Sequence, residues 1–163
     1  MLFEGPVRVL IVDDHVAIRS GIAKLINAEW PRMRSIGAAG TSQEALTLAR
    51  THQPDVVVLD VNLAGDDGLL LIPLLQQLSP CEVIVLTSLS DPRVSAHARR
   101  LGAHACLHKT APAAELMACL FAAHRSREGA APSNELGVVS HLDGSKHPSA
   151  PGRTNDVGHG TDA

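Results

Sequence analysis

The chain has 163 residues, 45% of them hydrophobic and 19% charged, with a formal net charge of −3. That length suits one core-forming domain better than two, and the composition is that of a folded globular chain. The charge offers no general attraction to nucleic acid or anionic lipid, and with no Tyr, one Trp and two Phe there is no base-stacking surface and the core is aliphatic.

The start, Met1-Leu2-Phe3-Glu4-Gly5-Pro6, has neither a basic leader nor a long apolar stretch, and no run reaches membrane-span length. The first apolar run predicts a strand over 7–12 that ends in Asp13-Asp14. A helix from about Val16 to Glu29 follows, with Ile18, Ile22, Leu25 and Ile26 on one face. A strand over 34–39 leads to the capping-box signature Thr41-Ser42-Gln43-Glu44 and a helix with Ala45, Leu48 and Ala49 inward. The run Val56-Val57-Val58-Leu59 closes on Asp60, giving a strand over 55–60. A helix over about Gly68 to Leu78 precedes a strand over 82–87 that ends in Thr87. Asp91 as N-cap and Pro92 at the first helical position open a fourth helix, which Gly102 stops. A strand over 104–108 runs into Lys109, and a last helix covers Thr110 to about Arg127 with Leu116, Leu120 and Ala123 inward.

The strands are rich in Val, Ile and Leu without polar alternation, as in strands buried on both faces. Strands alternating with helices predict an α/β fold, a doubly wound parallel sheet with helices on both faces. The pattern alone does not order the strands. After Arg127 the last 36 residues hold six Gly, three Pro and four Ser, with two basic and five acidic side chains. That composition buries too little surface to offset ordering entropy, so 1–127 reads as the domain and 128–163 as a disordered tail. Cys81, Cys106 and Cys119 are odd in number and far apart, as expected of reduced thiols in a cytoplasmic protein.

Open α/β sheets place their chemistry at the carboxyl ends of the strands. Asp13, Asp14, Asp60 and Lys109 all stand at such ends. Clustered carboxylates repel unless a cation sits among them, and Mg²⁺ takes one or two carboxylates with water and phosphate oxygens. With Mg²⁺ bound, Asp60 could attack phosphorus and Lys109 could neutralise the transferring group. Taken alone, Asp13-Asp14 equally suits a turn, and a strand-end Thr such as Thr87 is ordinarily a cap or loop residue. Beside Asp60 and Lys109, the Thr87 hydroxyl could bond a phosphoryl oxygen.

Four pieces in this order carry a family resemblance: Val12-Asp13-Asp14-His15, the stretch from Asp60-Val61-Asn62 through Gly65 to Gly68-Leu69, Leu86-Thr87-Ser88, and Gly102-Ala103 leading to Lys109. Over about residues 7–127 the chain resembles the receiver domain of bacterial two-component response regulators. With Arg19 and Gly21-Ile22 after Asp13-Asp14-His15, it is similar to the NarL/FixJ-like subclass. The resemblance implies a flavodoxin-like sheet in order 2-1-3-4-5 and a phosphoryl group taken on Asp60 from a sensor histidine kinase. It implies Mg²⁺ held by Asp14 and Asp60 directly, by Asp13 through water and by the Asn62 carbonyl. Thr87 becomes the switch hydroxyl and Lys109 the phosphate-binding lysine. The output implied is a change of partner or dimer contacts, usually in transcription regulation.

Several residues depart from that pattern. Ala64 stands where the family usually has Pro, which predicts a less rigid loop. Cys106 replaces the usual Tyr, Phe or His of the last strand and is read as a small buried hydrophobe. Residues 128–163 are too few, too Gly-rich and too acidic for the usual helix-turn-helix domain, so no direct DNA binding is expected. Arg93, His97, Arg99 and Arg100 form a partly basic face, ordinarily just solvated. Met117 and Phe121 could serve a dimer or the core, and His15 is read as capping or packing near the first helix. His141, His147 and His159 read as solvated tail residues.

Two rival functions remain. An aspartate-nucleophile phosphatase would need an acid two residues after Asp60, where Asn62 stands. A degenerate receiver acting purely as an interaction module would not need the set Asp13, Asp14, Asp60, Thr87 and Lys109. A flavin site lacks aromatic residues to sandwich the ring.

Overall fold

Val9, Leu10, Ile11 and Val12 have no exposed surface, so strand β1 (Val7–Val12) is covered on both faces. The computed structural model describes residues 5–130. From β1 the chain runs through α1 (Val16–Asn27), β2 (Met33–Ala39), α2 (Ser42–His52) and β3 (Val56–Asp60). A hairpin follows, β4 (Asn62–Leu63) and β5 (Asp66–Asp67), then a 3-10 turn (Gly68–Leu70) and α3 (Leu71–Leu78). The remainder is β6 (Glu82–Thr87), α4 (Pro92–Arg100), β7 (Ala105–His108) and α5 (Ala113–Ala130).

The five long strands pair in parallel in the order β2-β1-β3-β6-β7. Counting only those strands, this is the 2-1-3-4-5 order. Within each uniformly apolar strand, alternate residues serve opposite faces. Leu10, Val12, Val57, Leu59, Val83 and Val85 pack with Ala45, Ala49, Leu75 and Ala98 of α2, α3 and α4. Val9, Ile11, Val58, Ile84 and Leu86 pack with Ile22, Ile26, Leu116, Leu120 and Ala123 of α1 and α5. Met117 and Phe121 pack partly buried against this second cluster, the core role considered for them.

The capping box forms: Thr41 Oγ1 accepts from the Glu44 N–H at 3.2 Å, while Glu44 Oε2 reaches past the cap to the Gly40 N–H at 2.9 Å. At α4 the Asp91 carboxylate accepts the Arg93 N–H at 2.9 Å behind Pro92. Gly102 takes φ +111°, the left-handed region that stops a helix cheaply only at glycine.

Several boundaries differ from the sequence expectation. Helix α1 ends at Asn27 rather than Glu29, because Trp30 precedes a proline and the residue before proline is pushed out of helical conformation. Leu25 is 39% exposed and lies off the core face, which Ile22 and Ile26 hold. The third helix divides into a 3-10 turn and α3. The fifth begins at Ala113, not Thr110, since the Pro112 carbonyl accepts the first helical N–H groups, from Glu115 at 2.9 Å and Leu116 at 3.3 Å. It also runs on to Ala130, so residues 128–130 belong to α5 and not to a tail. Arg127 there meets Asp55 at 2.5 Å, tying α5 to the start of β3. The rest of the expected tail, 131–163 with its three histidines, lies outside the described residues.

The β4–β5 hairpin was not expected at all. Its two turn residues, Ala64 and Gly65, have φ +47° and +92°, the sign pattern of a type I′ hairpin turn. The loop expected to be loosened by Ala64 is therefore a paired ribbon, in a conformation proline cannot adopt. Among the described residues no helix is long and apolar enough to cross a membrane.

Candidate functional site

From β1 the chain crosses to β2 on one side and returns to β3 on the other, so a crevice opens where the direction of winding reverses. Asp13 follows β1 and Asp60 ends β3 at that crevice. Both are buried, at 2% and 3% exposure. Lys109, just past β7, reaches in from the far side, held by its own N–H donating to the Thr87 carbonyl at 2.8 Å.

Lys109 Nζ lies 2.9 Å from Asp60 Oδ2 and 2.9 Å from Asp13 Oδ2. It is aligned to donate a hydrogen bond only to Asp60. Asp13 Oδ2 is thus charge-paired but lacks a directed donor, and buried Asp14 Oδ1 also lacks one. Burial pushes the Asp60 carboxyl above the ordinary carboxylate range; the Lys109 and Asn62 hydrogen bonds oppose that, and the Asp13 charge adds to it. For Lys109 burial alone would lower the value, but Asp60 and Asp13 outweigh it and hold the ammonium charged. Three carboxylates against one ammonium leave two uncompensated charges, the charge of one divalent ion. The all-oxygen set of Asp13, Asp14 and Asp60, with its undonated oxygens, fits Mg²⁺.

The sequence-predicted residues are not all equally engaged. Asn62 is exposed and its N–H donates to Asp60 Oδ1 at 3.2 Å. Thr87, 5% exposed, uses its hydroxyl oxygen to accept the Leu89 N–H at 2.9 Å. This is the loop-capping role of a strand-end threonine, and it leaves the hydroxyl proton free. The strand register sets Leu86, not Thr87, beside Asp60.

Other contributors were given no role in the site by the sequence. Arg19 donates to the Asp13 carbonyl at 2.6 Å, fixing the backbone of the acidic pair from one turn into α1. An added Cβ on Gly68 would run into the Asp60 carbonyl oxygen. His108 bridges two loops: its Nδ1 accepts the Thr110 N–H at 3.2 Å, so its Nε2 carries the proton that meets the Ser88 carbonyl at 3.2 Å. His15 stands at the N-cap of α1 without a capping hydrogen bond from its side chain, so of the two roles expected near the first helix, capping or packing, its side chain does not serve the first. Such bridges depend on ring placement in three dimensions and have no sequence signature. The glycine had one, since it belongs to the matched stretch after Asp60.

Cys106 is half-buried, and burial raises its thiol above the ordinary range. It borders a cleft of about 280 Å³ with Thr87, Leu89, Pro92 and Ser95. A larger side chain would occupy that space.

A family model for the response regulator receiver domain matches residues 9–121. The chain is 33% identical over 136 residues to the transcriptional regulatory protein PdtaR of Mycobacterium tuberculosis, covering 83% of this chain and 65% of the relative. It is 35% identical over 120 residues to the transcriptional regulatory protein LiaR of Bacillus subtilis, covering 73% of this chain and 56% of the relative. The chain therefore spans somewhat less than two thirds of the curated relatives it matches. Among solved structures, a response regulator from Burkholderia pseudomallei with a phosphorylated aspartic acid, calcium ion and citrate superposes with TM-score 0.65 at 27% identity. That match covers 76% of this chain and 72% of the other.

Proposed function

Because the chain belongs to the response regulator receiver family of two-component systems, we propose that it takes a phosphoryl group onto Asp60 from a phosphohistidine of a sensor kinase. The observation that carries this reading is the buried Asp60–Lys109 pair beside Asp13 Oδ2, an acceptor with no directed donor. Asp60 is the nucleophile: its carboxylate oxygen forms the new P–O bond as the P–N bond to the kinase imidazole breaks. Asp13, Asp14 and Asp60, with the Asn62 carbonyl, would hold Mg²⁺, which when bound offsets the charge of the acidic set and of the phosphoryl oxygens. Lys109 follows the transferring group and neutralises its oxygens. Burial keeps bulk water off the nucleophile, and the Asn62 N–H orients the carboxylate.

On phosphorylation the free Thr87 proton turns toward a phosphoryl oxygen and draws the Ser88–Leu89 loop with it. That motion biases α4 and its flanking loops between two arrangements. The output is a change in partner or homodimer contacts, feeding transcription regulation as in the relatives named above, with DNA contacted by something other than residues 1–127. The protein works in the cytoplasm and turns over no external substrate beyond its own phosphoryl group.

Incubation with acetyl phosphate and Mg²⁺ tests this by intact mass. Wild type should gain one phosphoryl group, dependent on Mg²⁺, and Asp60→Asn should gain none while remaining folded. Equal labelling of the mutant would overturn the assignment of Asp60. Absence of labelling by both acetyl phosphate and kinase would favour the phosphorylation-independent interaction module.

A further inference from the structure

His15 is chemically out of place beside a site built for a hard ion. Its ring does not cap α1 but turns back over the crevice, with Nδ1 2.9 Å from Asp14 Oδ1 and 3.1 Å from Asp13 Oδ1. Asp13, Asp14, His15 and Asp60 each present one donor atom, all within 4.8 Å of one another. Around an ion with ligand distances of about 2.0–2.2 Å, neighbouring donors stand roughly 3 Å apart and opposite ones a little over 4 Å. The two His15 spacings match the edge of such a shell. Asp13 Oδ2 and Asp14 Oδ1, on residues of that set, have no hydrogen-bond donor of their own, and Asp13 is 2% exposed.

We propose that His15 Nδ1 is an additional ligand of this cation site, giving it a nitrogen donor and a preference for transition ions such as Mn²⁺ or Co²⁺ over Mg²⁺. The inference rests on the cation site of the proposed function. Imidazole is a favoured donor for late first-row ions and a poor one for Mg²⁺. The ring is 62% exposed, so turning its unprotonated Nδ1 onto an ion displaces no packed neighbour. The competing arrangement is a ring that keeps its Nδ1 proton, donates to the two carboxylates and never touches the ion.

Electron spin-echo spectroscopy of the Mn²⁺-loaded full chain separates the two. Modulation from a directly bound nitrogen is expected in wild type and absent in His15→Gln, with Mn²⁺ bound in both. In parallel, Co²⁺ and Mg²⁺ affinities are measured by absorbance and calorimetric titration. His15→Gln should weaken Co²⁺ about tenfold or more and Mg²⁺ less than about twofold, and His15→Ala should do the same. Bound Mn²⁺ without nitrogen modulation in wild type, or equal losses for both metals, overturns the role of His15 and leaves the proposed function standing. If no divalent ion binds even wild type, both readings fall together.

Discussion

The Cα of Gly68 sits against the carbonyl oxygen of Asp60, so closely that a methyl group cannot be placed between them. The same residue donates its N–H to the Val61 carbonyl at 2.6 Å, so the chain leaving the hairpin is pressed onto the backbone that carries the central aspartate. Gly68→Ala must push that backbone aside. We expect a loss of about 2–3 kcal/mol in denaturant unfolding and, in the protein that still folds, weaker Mg²⁺ binding. Unchanged stability and binding would mean that the loop yields freely.

Ala64 holds φ +47° in the hairpin turn, with its N–H donating to Asp14 Oδ2 at 3.2 Å. Proline fixes φ near −65° and has no N–H. Ala64→Pro, which restores the common family residue, should therefore destabilise this chain by about 2 kcal/mol or more. Ala64→Gly should be neutral to stabilising by up to about 1 kcal/mol, because left-handed strain and glycine's unfolded-state freedom oppose each other. Urea midpoints of the two variants check the order.

Asp60 without a cation is a buried carboxylate facing another, and its ionised form is disfavoured in the fold. Asp60→Asn removes one charge, and the amide oxygen can still accept the Asn62 N–H. In metal-free buffer at neutral pH this variant should be more stable than wild type by about 1 kcal/mol. Saturating Mg²⁺ should reverse the order, since an ion bound only by the folded state adds about 2.7 kcal/mol at a hundredfold excess over its Kd. Thermal melts of both proteins with and without Mg²⁺ make the comparison.

Cys81 is buried at the entry to β6, and burial pushes its thiol from near 9 up to about 11. Between those values the unfolded chain releases the thiol proton and the folded chain keeps it. The stability from this group is therefore fully present below about pH 9 and is lost as pH rises toward 11. Wild type should lose stability above pH 9 more steeply than Cys81→Ala, by up to about 1.4 kcal/mol per pH unit. Cys81 should also be the slowest of the three cysteines to react with iodoacetamide in native buffer.

Residues near in sequence carried most of what could be read without coordinates. The unbroken runs Val9–Val12, Val56–Leu59 and Val83–Leu86 named β1, β3 and β6, because a strand buried on both faces has no polar residue to place; β2, with Arg34 and Ser35, and the half-buried β7 carry shorter apolar stretches. Thr41, Asp91 and Gly102 marked helix ends, because a cap is made within a few residues by hydrogen bonds and local φ. Asp13, Asp60 and Lys109 were legible because each ends a strand, and parallel strands deliver their carboxyl ends to one edge.

Tertiary structure decided the rest. The hairpin at Ala64-Gly65 has two residues a strand, too short for any periodicity, and leads directly into Gly68, which is packed onto Asp60. That Thr87 spends its acceptor on Leu89, and that Lys109 aligns with Asp60 but not with Asp13, are matters of angle at atoms brought from separate strands. His15 looked like a helix cap by position and turned out to face the carboxylates. Sequence determines which groups arrive at the sheet edge, since that depends on strand order and period. Direction and pairing there depend on burial and on neighbours tens of residues away, which only the folded chain supplies.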